Sequence, residues 1–277
     1  VRDFAATFEP LRLSPAYCGT AYGLAEHVVG VCQHEANVEG RPLSELSDQD
    51  LECVGQLERL SKGSQLKIVD PGTRREVPFG EVGEIWISSP SVAAGYWGLP
   101  ELTEKAFSAR INISCRRCTD FARCAGASPL PPTNRPTFLR TGDLARMGSG
   151  DRIFICGRMK DLIIVRGRNL YPQDVEFAAQ EASSMVRPGC VAAFSAQELG
   201  GELEVVMEVR KSVEGDEAAL REGLEAVRRA IVAEGCYPSR LVAIKEKTIP
   251  KTTSGKIQRR RSRELLHAGS LTVVTEL

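Results

Sequence analysis

The chain has 277 residues, 42% of them hydrophobic and 26% charged, with 36 basic against 36 acidic side chains. That length is a soft prior for about two domains, and zero net charge argues against broad electrostatic capture of nucleic acid or of an acidic membrane surface. The longest purely apolar runs, such as Leu162 to Val165, fall far below the ~18 residues of a membrane span.

Nine cysteines, at positions 18, 32, 53, 115, 118, 124, 156, 190 and 236, are odd in number and irregular in spacing. That is not a secreted disulfide framework, and the expected compartment is the cytoplasm. The sequence opens Val1-Arg2-Asp3-Phe4, with neither an initiator Met nor a signal-peptide pattern. It reads as a fragment or a processed chain.

In chain order, glycine and proline punctuate short strands through the first half. The clearest strand is Glu81 to Ser88, β-branched and aromatic after a Pro-Phe-Gly turn. Residues 112–137 differ: three cysteines, four prolines (Pro129, Pro131, Pro132, Pro136) and little periodicity predict a long loop or insertion. From Asp151 onward short strands are predicted at Arg152–Cys156, Leu162–Val165, Val191–Phe194, Leu203–Val209 and Leu241–Ile244. A helix is predicted from Gln173. A second carries Leu220, Leu224, Val227 and Ile231 on one face and ends at Gly235. Strands interspersed with two helices predict a small α+β domain, with a boundary near Gly157–Asp161.

Five segments carry candidate chemistry. Tyr22 beside Gly23 offers a flat ring on which a base can stack, and Glu26 a carboxylate for Mg²⁺, although a turn with a surface acid reads the same residues. Asp143, after Thr141-Gly142, can accept two hydrogen bonds from a ribose cis-diol; a turn-forming Asp is an equal reading. Lys256 closes Pro250-Lys251-Thr252-Thr253-Ser254-Gly255, which differs from a phosphate-binding loop because Pro250 stands for its first glycine and Ile257 for its Ser/Thr. What remains is a small-residue loop presenting one lysine as a mobile point charge, or a solvated basic loop leading into Arg259-Arg260-Arg261. The other two segments are Gly80 to Phe107 and Gly157 to Glu176. A zinc module at Cys115, Cys118 and Cys124 lacks a second pair at ligand spacing.

Together and in order, these segments resemble the adenylate-forming (AMP-binding) enzyme superfamily, from about Ser14 to the C-terminus. Gly80-Glu81-Val82-Gly83-Glu84-Ile85-Trp86 with Gly95-Tyr96-Trp97 resembles the strand and loop before its ribose site, and Gly157-Arg158-Met159-Lys160-Asp161 its interdomain hinge. Lys160 through Asp174 resembles the fatty acyl-AMP ligase version of that segment. Ala25 stands where many members have a phosphate-contacting threonine, so one polar contact is missing.

The resemblance implies an α+β architecture: residues 1–157 as the C-terminal, β-rich portion of the large AMP-binding domain, then 158–277 as a small mobile C-terminal domain. It implies that Tyr22 with Gly23 holds adenine, that Asp143 and Arg158 hold the ribose, that Glu26 ligates Mg²⁺, that Lys160 is the hinge, and that Lys256 is catalytic. It implies ATP as cosubstrate and AMP as leaving product. Activation of a fatty acid as acyl-AMP follows, then transfer to an acyl carrier protein or polyketide synthase carrier domain. Val165-Arg166-Gly167-Arg168 crowds the passage that coenzyme A users keep open with small residues, and the two arginines suit an acidic carrier surface. The alternatives are an acyl-CoA synthetase of the same fold and a non-catalytic nucleotide-binding module. Nothing before Tyr22 resembles the superfamily's phosphate loop, so the expectation is that this polypeptide alone forms no acyl-AMP.

Overall fold

The computed structural model describes residues 19–27, 29–35, 53–57, 60, 63–112, 136–165, 168–197 and 201–277. The chain divides into two compact units, Val1–Met159 and Lys160–Leu277. Cys115, Cys118 and Cys124, almost all of the 112–137 insertion, and the Arg166-Gly167 pair lie outside the described residues.

In the first unit, β1 (Gly19–Leu24) and β2 (Val29–Glu35) form an antiparallel hairpin. A second, five-stranded sheet is antiparallel throughout. It joins β3 (Cys53–Gln56), β4 (Gln65–Val69), β5 (Val82–Ser88), β6 (Leu139–Gly148) and β7 (Arg152–Arg158) in the order β3-β7-β6-β5-β4. Both faces are covered, because successive side chains of β5 point to opposite faces and Gly83 to Ile87 are all buried. Ile85 and Ile87 pack with Leu66, Ile68, Ala145 and Ile153 on one side, while Trp86 packs with Val69, Ala109 and Phe138 on the other. Helix α1 (Pro100–Phe107) starts on a proline at its first turn, where the missing N–H costs nothing.

In the second unit, β8 (Ile163–Val165) and β9 (Arg168–Leu170) make a short ribbon before α2 (Pro172–Ala182). A four-stranded sheet follows in the order β10 (Val186–Ser195), β11 (Leu203–Val209), β12 (Pro238–Ile244), β13 (Val273–Glu276). Strands β11 and β12 are parallel, which needs a crossover, and α3 (Glu217–Ala233) supplies it. All seven residues of β11 are buried, as expected of a central strand covered on both faces. Helices α2 and α3 bury Val175, Ala179, Leu220, Leu224, Val227 and Ile231 on one side, and α4 (Arg259–His267) buries Leu266 on the other. Burying each aliphatic side chain of α3 is worth roughly 1.5–3 kcal/mol. Asp216 caps that helix by accepting from Ala219 N at 3.0 Å, and Gly235, at φ 74°, lets the chain leave it.

The predicted strands and both predicted helices are present. Three features differ from the sequence reading. Strand β10 begins at Val186 and is broken by a register shift around Pro188-Gly189. Strand β13 was not anticipated. Asp143, which also read as a turn-forming Asp, lies inside a ten-residue strand.

Candidate functional site

The Thr141-Gly142-Asp143 segment sits where β5 and β6 lose register. Glu84 pairs with Leu144 and Trp86 with Arg140, so Thr141 to Asp143 span the gap that Ile85 alone spans on β5. Such a bulge turns a side chain out of the ladder. Gly142 accommodates it at φ 72°, a left-handed conformation that most side chains avoid. Thr141 Oγ1 donates to Ile85 O at 2.8 Å and accepts from Asp143 N at 3.1 Å.

Glu84 anchors the bulge from behind. Its carboxylate is 1% exposed and accepts from Trp86 Nε1 at 2.8 Å, Arg140 Nε at 3.0 Å and Gly142 N at 3.0 Å. The Arg140 guanidinium also lies over the Trp86 ring, 5.5 Å from its centroid. A buried carboxylate persists only when paired and hydrogen-bonded, and Glu84 meets both conditions. Sequence reading missed this role. The available signal was an acid in an otherwise apolar strand.

The bulge delivers Asp143 to two residues distant in sequence. Tyr22 on β1 donates its phenol hydrogen to Asp143 Oδ2 at 2.7 Å, and Arg158, directly across the β6–β7 ladder, meets Oδ1 through Nε at 3.0 Å. Burial, and then the Asp143 carboxylate, push the Tyr22 phenol far above its usual range, so it remains a donor. Three residues named from sequence thus converge on one carboxylate. Asp143 is nearly buried and Arg158 is exposed.

Glu26 lies in a one-turn 3₁₀ segment, Ala25–His27, after Gly23 and Leu24 end β1. It is held twice by the loop after β5. Ala93 N donates to its backbone oxygen at 2.8 Å, and the Tyr96 hydroxyl donates to Oε1 at 2.8 Å. Burial and then Glu26 raise the Tyr96 phenol above its usual range. Tyr96 is itself fixed by Thr103 Oγ1, which accepts from its N–H at 2.9 Å, and by an edge-on Phe107 ring at 5.2 Å. Next to Glu26, His27 is 1% exposed; its Nδ1 donates to Gly30 O at 2.8 Å, and its Nε2 has no hydrogen-bond partner among the described residues.

Lys160 and Lys256 belong to the second unit and are both exposed. Lys160 sits in the single 3₁₀ turn Met159–Asp161 that follows β7. The Lys256 loop closes on itself: Thr252 N donates to Lys256 O at 2.8 Å, Lys256 N to Thr252 Oγ1 at 3.1 Å, and Gln258 N to Pro250 O at 3.0 Å. Arg259 pins the end of the loop through a two-pronged pair with Glu176, both contacts 2.7 Å, and a third contact to Asp161 at 3.4 Å. The hydrogen bonds that Arg259 donates to Glu176 outweigh burial and raise the guanidinium further, so it stays charged. Neither Glu176 nor Tyr96 could be singled out from sequence, because each role depends on a long-range contact.

Comparison with known proteins bears on the same segments. The model of the AMP-binding enzyme family matches residues 3–97. A putative fatty-acid–CoA ligase, fadD25 of Mycobacterium tuberculosis, is 36% identical over 289 residues, 98% of this chain and 46% of that protein. The chain belongs to the AMP-binding enzyme family. Another member, the medium-chain-fatty-acid–[acyl-carrier-protein] ligase JamA of Moorena producens, is 34% identical over 98% of this chain and 45% of its own length. The chain therefore spans about half the length of the curated family members it matches. A solved structure from a study of fatty acyl-adenylate ligases of E. coli and L. pneumophila superposes with a TM-score of 0.67 over 97% of this chain and 45% of that one. At 23% identity this likeness extends to the fold alone. Among the described residues of this family member no helix is long and apolar enough to cross a membrane.

Proposed function

We propose that this chain is the C-terminal part of an ATP-dependent ligase that activates a fatty acid as its acyl-AMP and passes the acyl group to a carrier-protein thiol. The observation that carries the reading is the convergence of Tyr22, Asp143 and Arg158. A carboxylate whose two oxygens are oriented by a phenol and a guanidinium keeps lone pairs for a vicinal diol such as that of a ribose. Tyr22 and Arg158 then act as positioning groups, and Gly142 supplies the backbone geometry.

Attack of a carboxylate on an α-phosphate brings two anions together, so preorganised positive charge carries much of the stabilisation. Lys256, on a small self-closed loop, is the group we assign to that task. The mixed anhydride it helps form is open to a thiol. Lys160, in the turn that begins the second unit, is assigned as the hinge.

Glu26 fits Mg²⁺. One carboxylate oxygen is committed to Tyr96, the other has no hydrogen-bond partner among the described residues, and Mg²⁺ characteristically takes one or two carboxylates beside substrate phosphates. Bound there, the ion would neutralise phosphate charge. Glu26 would hold it, with Tyr96 fixing the carboxylate and Ala93 N the backbone oxygen of the same residue.

The test is calorimetric binding of a non-hydrolysable acyl-adenylate analogue to the wild-type and Asp143→Asn proteins. Loss of a charged hydrogen-bond acceptor should weaken binding by about tenfold or more; equal affinity would remove Asp143 from a nucleotide site. The acceptor is decided separately, by supplying acyl-AMP with either a holo-carrier protein or coenzyme A. The carrier reading follows from the crowded Val165–Arg168 segment and from the likeness to JamA. Efficient acyl-CoA formation with no carrier transfer would move the assignment to an acyl-CoA synthetase.

A further inference from the structure

Cys190, on β10, is 2% exposed and packs with Val242, Ile244 and Ile249. A buried thiol in purely apolar surroundings is inert. This one is not in such surroundings, because the Lys251 ammonium donates to its sulfur with Nζ 3.1 Å from Sγ. Glu208 is a further neighbour of the thiol. Burial alone would raise that carboxyl, but the Ile249 and Lys247 N–H groups, Arg187 and the Cys190 thiol together hold it ionised, below its usual range. Arg187 pairs directly with the same carboxylate. The sulfur therefore takes a hydrogen from an amine.

Lys251 is also the first side chain of the Lys256 loop. It pairs with Ile257 across the loop's base, and its Nζ reaches back to the sheet. The contact with Cys190 thus ties the base of that loop to β10.

We propose that Cys190 and Lys251 are an oxidation-sensitive pair that closes to a sulfur–nitrogen cross-link on exposure to a hydroperoxide, fastening the Lys256 loop to β10. Once its proton has passed to solvent, the Cys190 sulfur attacks the peroxide oxygen; the O–O bond breaks, the departing oxygen takes up a proton and leaves as water, and the sulfur, oxidised by two electrons, becomes a sulfenic acid. The Lys251 amine, having lost its extra proton to solvent, attacks that sulfur, forms the S–N bond and expels the hydroxyl as a second water. In sum, thiol, amine and hydrogen peroxide give the cross-link and two waters. An added thiol reverses it by attacking the sulfur and releasing the amine. The chemistry of the pair is independent of the function proposed above, and only its effect on activity rests on the role of Lys256.

The experiment is peptide mass spectrometry on the purified protein before and after hydrogen peroxide. Expected is a joined peptide pair containing Cys190 and Lys251, lighter by two hydrogens than the two reduced peptides together. It should disappear with dithiothreitol and be absent from Cys190→Ser and from Lys251→Arg, which keeps the charge. Sulfenic, sulfinic or sulfonic acid at Cys190 without the joined pair would overturn the proposal. So would an unmodified Cys190 under exposure that oxidises Cys156. Acid-dependent pyrophosphate release by the active protein should fall with cross-linking and return with the reductant, but stay constant in Cys190→Ser. A cross-link that forms without changing that activity would leave the pair standing and remove Lys256 from catalysis.

Discussion

Glu84 does for the ribose-site candidate what no residue within it can do, because it holds the backbone from which Asp143 projects. Its three donors come from two strands, and one of them, Gly142 N, belongs to the bulge itself. Removing one partner of a buried ion pair strands the other. Glu84→Ala should therefore lower stability by about 3–5 kcal/mol in urea titration. It should also weaken nucleotide-analogue binding in whatever folded protein remains. A normal denaturation midpoint would show that Arg140 finds another partner.

Cys32, on β2 in the core that also holds Tyr22, gives a pH signature. Burial, and then the neighbouring Cys53 thiol, push its pKa from 9.0 up to about 12. The folded value lies above the unfolded one, so its stabilising contribution is complete below pH 9.0 and is lost as pH rises toward 12. Denaturant midpoints on either side of pH 9.0 should fall in the wild type and fall less steeply in Cys32→Ala. Parallel curves would assign the alkaline loss to other groups.

At the scale of elements, β5 shows why its glycine is a glycine. A Cβ built on Gly83 would lie 2.8 Å from Val69 O and 3.0 Å from Val69 C, backbone atoms of a paired neighbour that cannot rotate aside. Gly83→Ala should cost about 1–3 kcal/mol, the usual range for overpacking, and the loss should appear as a lower melting temperature. Unchanged stability would mean that β4 shifts freely.

Elements with a clean period were legible. The face of α3 was readable because Leu220, Leu224, Val227 and Ile231 face one core and nothing interrupts them. The length of β6 was not, because Thr141-Gly142 has the composition of a turn and acts as a bulge within a strand. Strand β13 was missed because Val273–Glu276 is too short and too exposed to alternate. The candidate site was legible only in part. Tyr22, Asp143 and Arg158 could be named from ordered motifs, yet their contact depends on a pairing across 121 residues that no local pattern encodes. Glu84, Tyr96 and Glu176 stayed hidden for the same reason.

At the scale of the whole molecule, the residues proposed for the chemistry are divided between the two units. The ribose-site and metal-site candidates lie in the first, and Lys256 in the second. Lys256→Ala in the active protein should abolish acid-dependent pyrophosphate release while leaving the fold intact, since the side chain is exposed and its removal opens no cavity. Thioester formation from presynthesised acyl-AMP should survive, as expected of a residue used in one of two conformations. Equal loss of both steps would show that Lys256 serves both or holds the loop together.

Both tryptophans of the chain fall in the first unit. Trp86 is sealed in the sheet at 0% exposure, whereas Trp97 is 100% exposed. Indole emission shifts when a buried ring meets water, and Trp97 has no such change to undergo. Tryptophan fluorescence is therefore a private reporter of the five-stranded sheet, while circular dichroism sums over both units. The two signals need not melt together, and disagreement between them is the standard mark of a chain that does not unfold in one step. Urea curves recorded by both probes should separate. The fluorescence transition should move with Glu84→Ala and stay put when Leu224→Ala opens a hole beneath α3. Coincident curves in every variant would mean that the two halves of this chain are thermodynamically one.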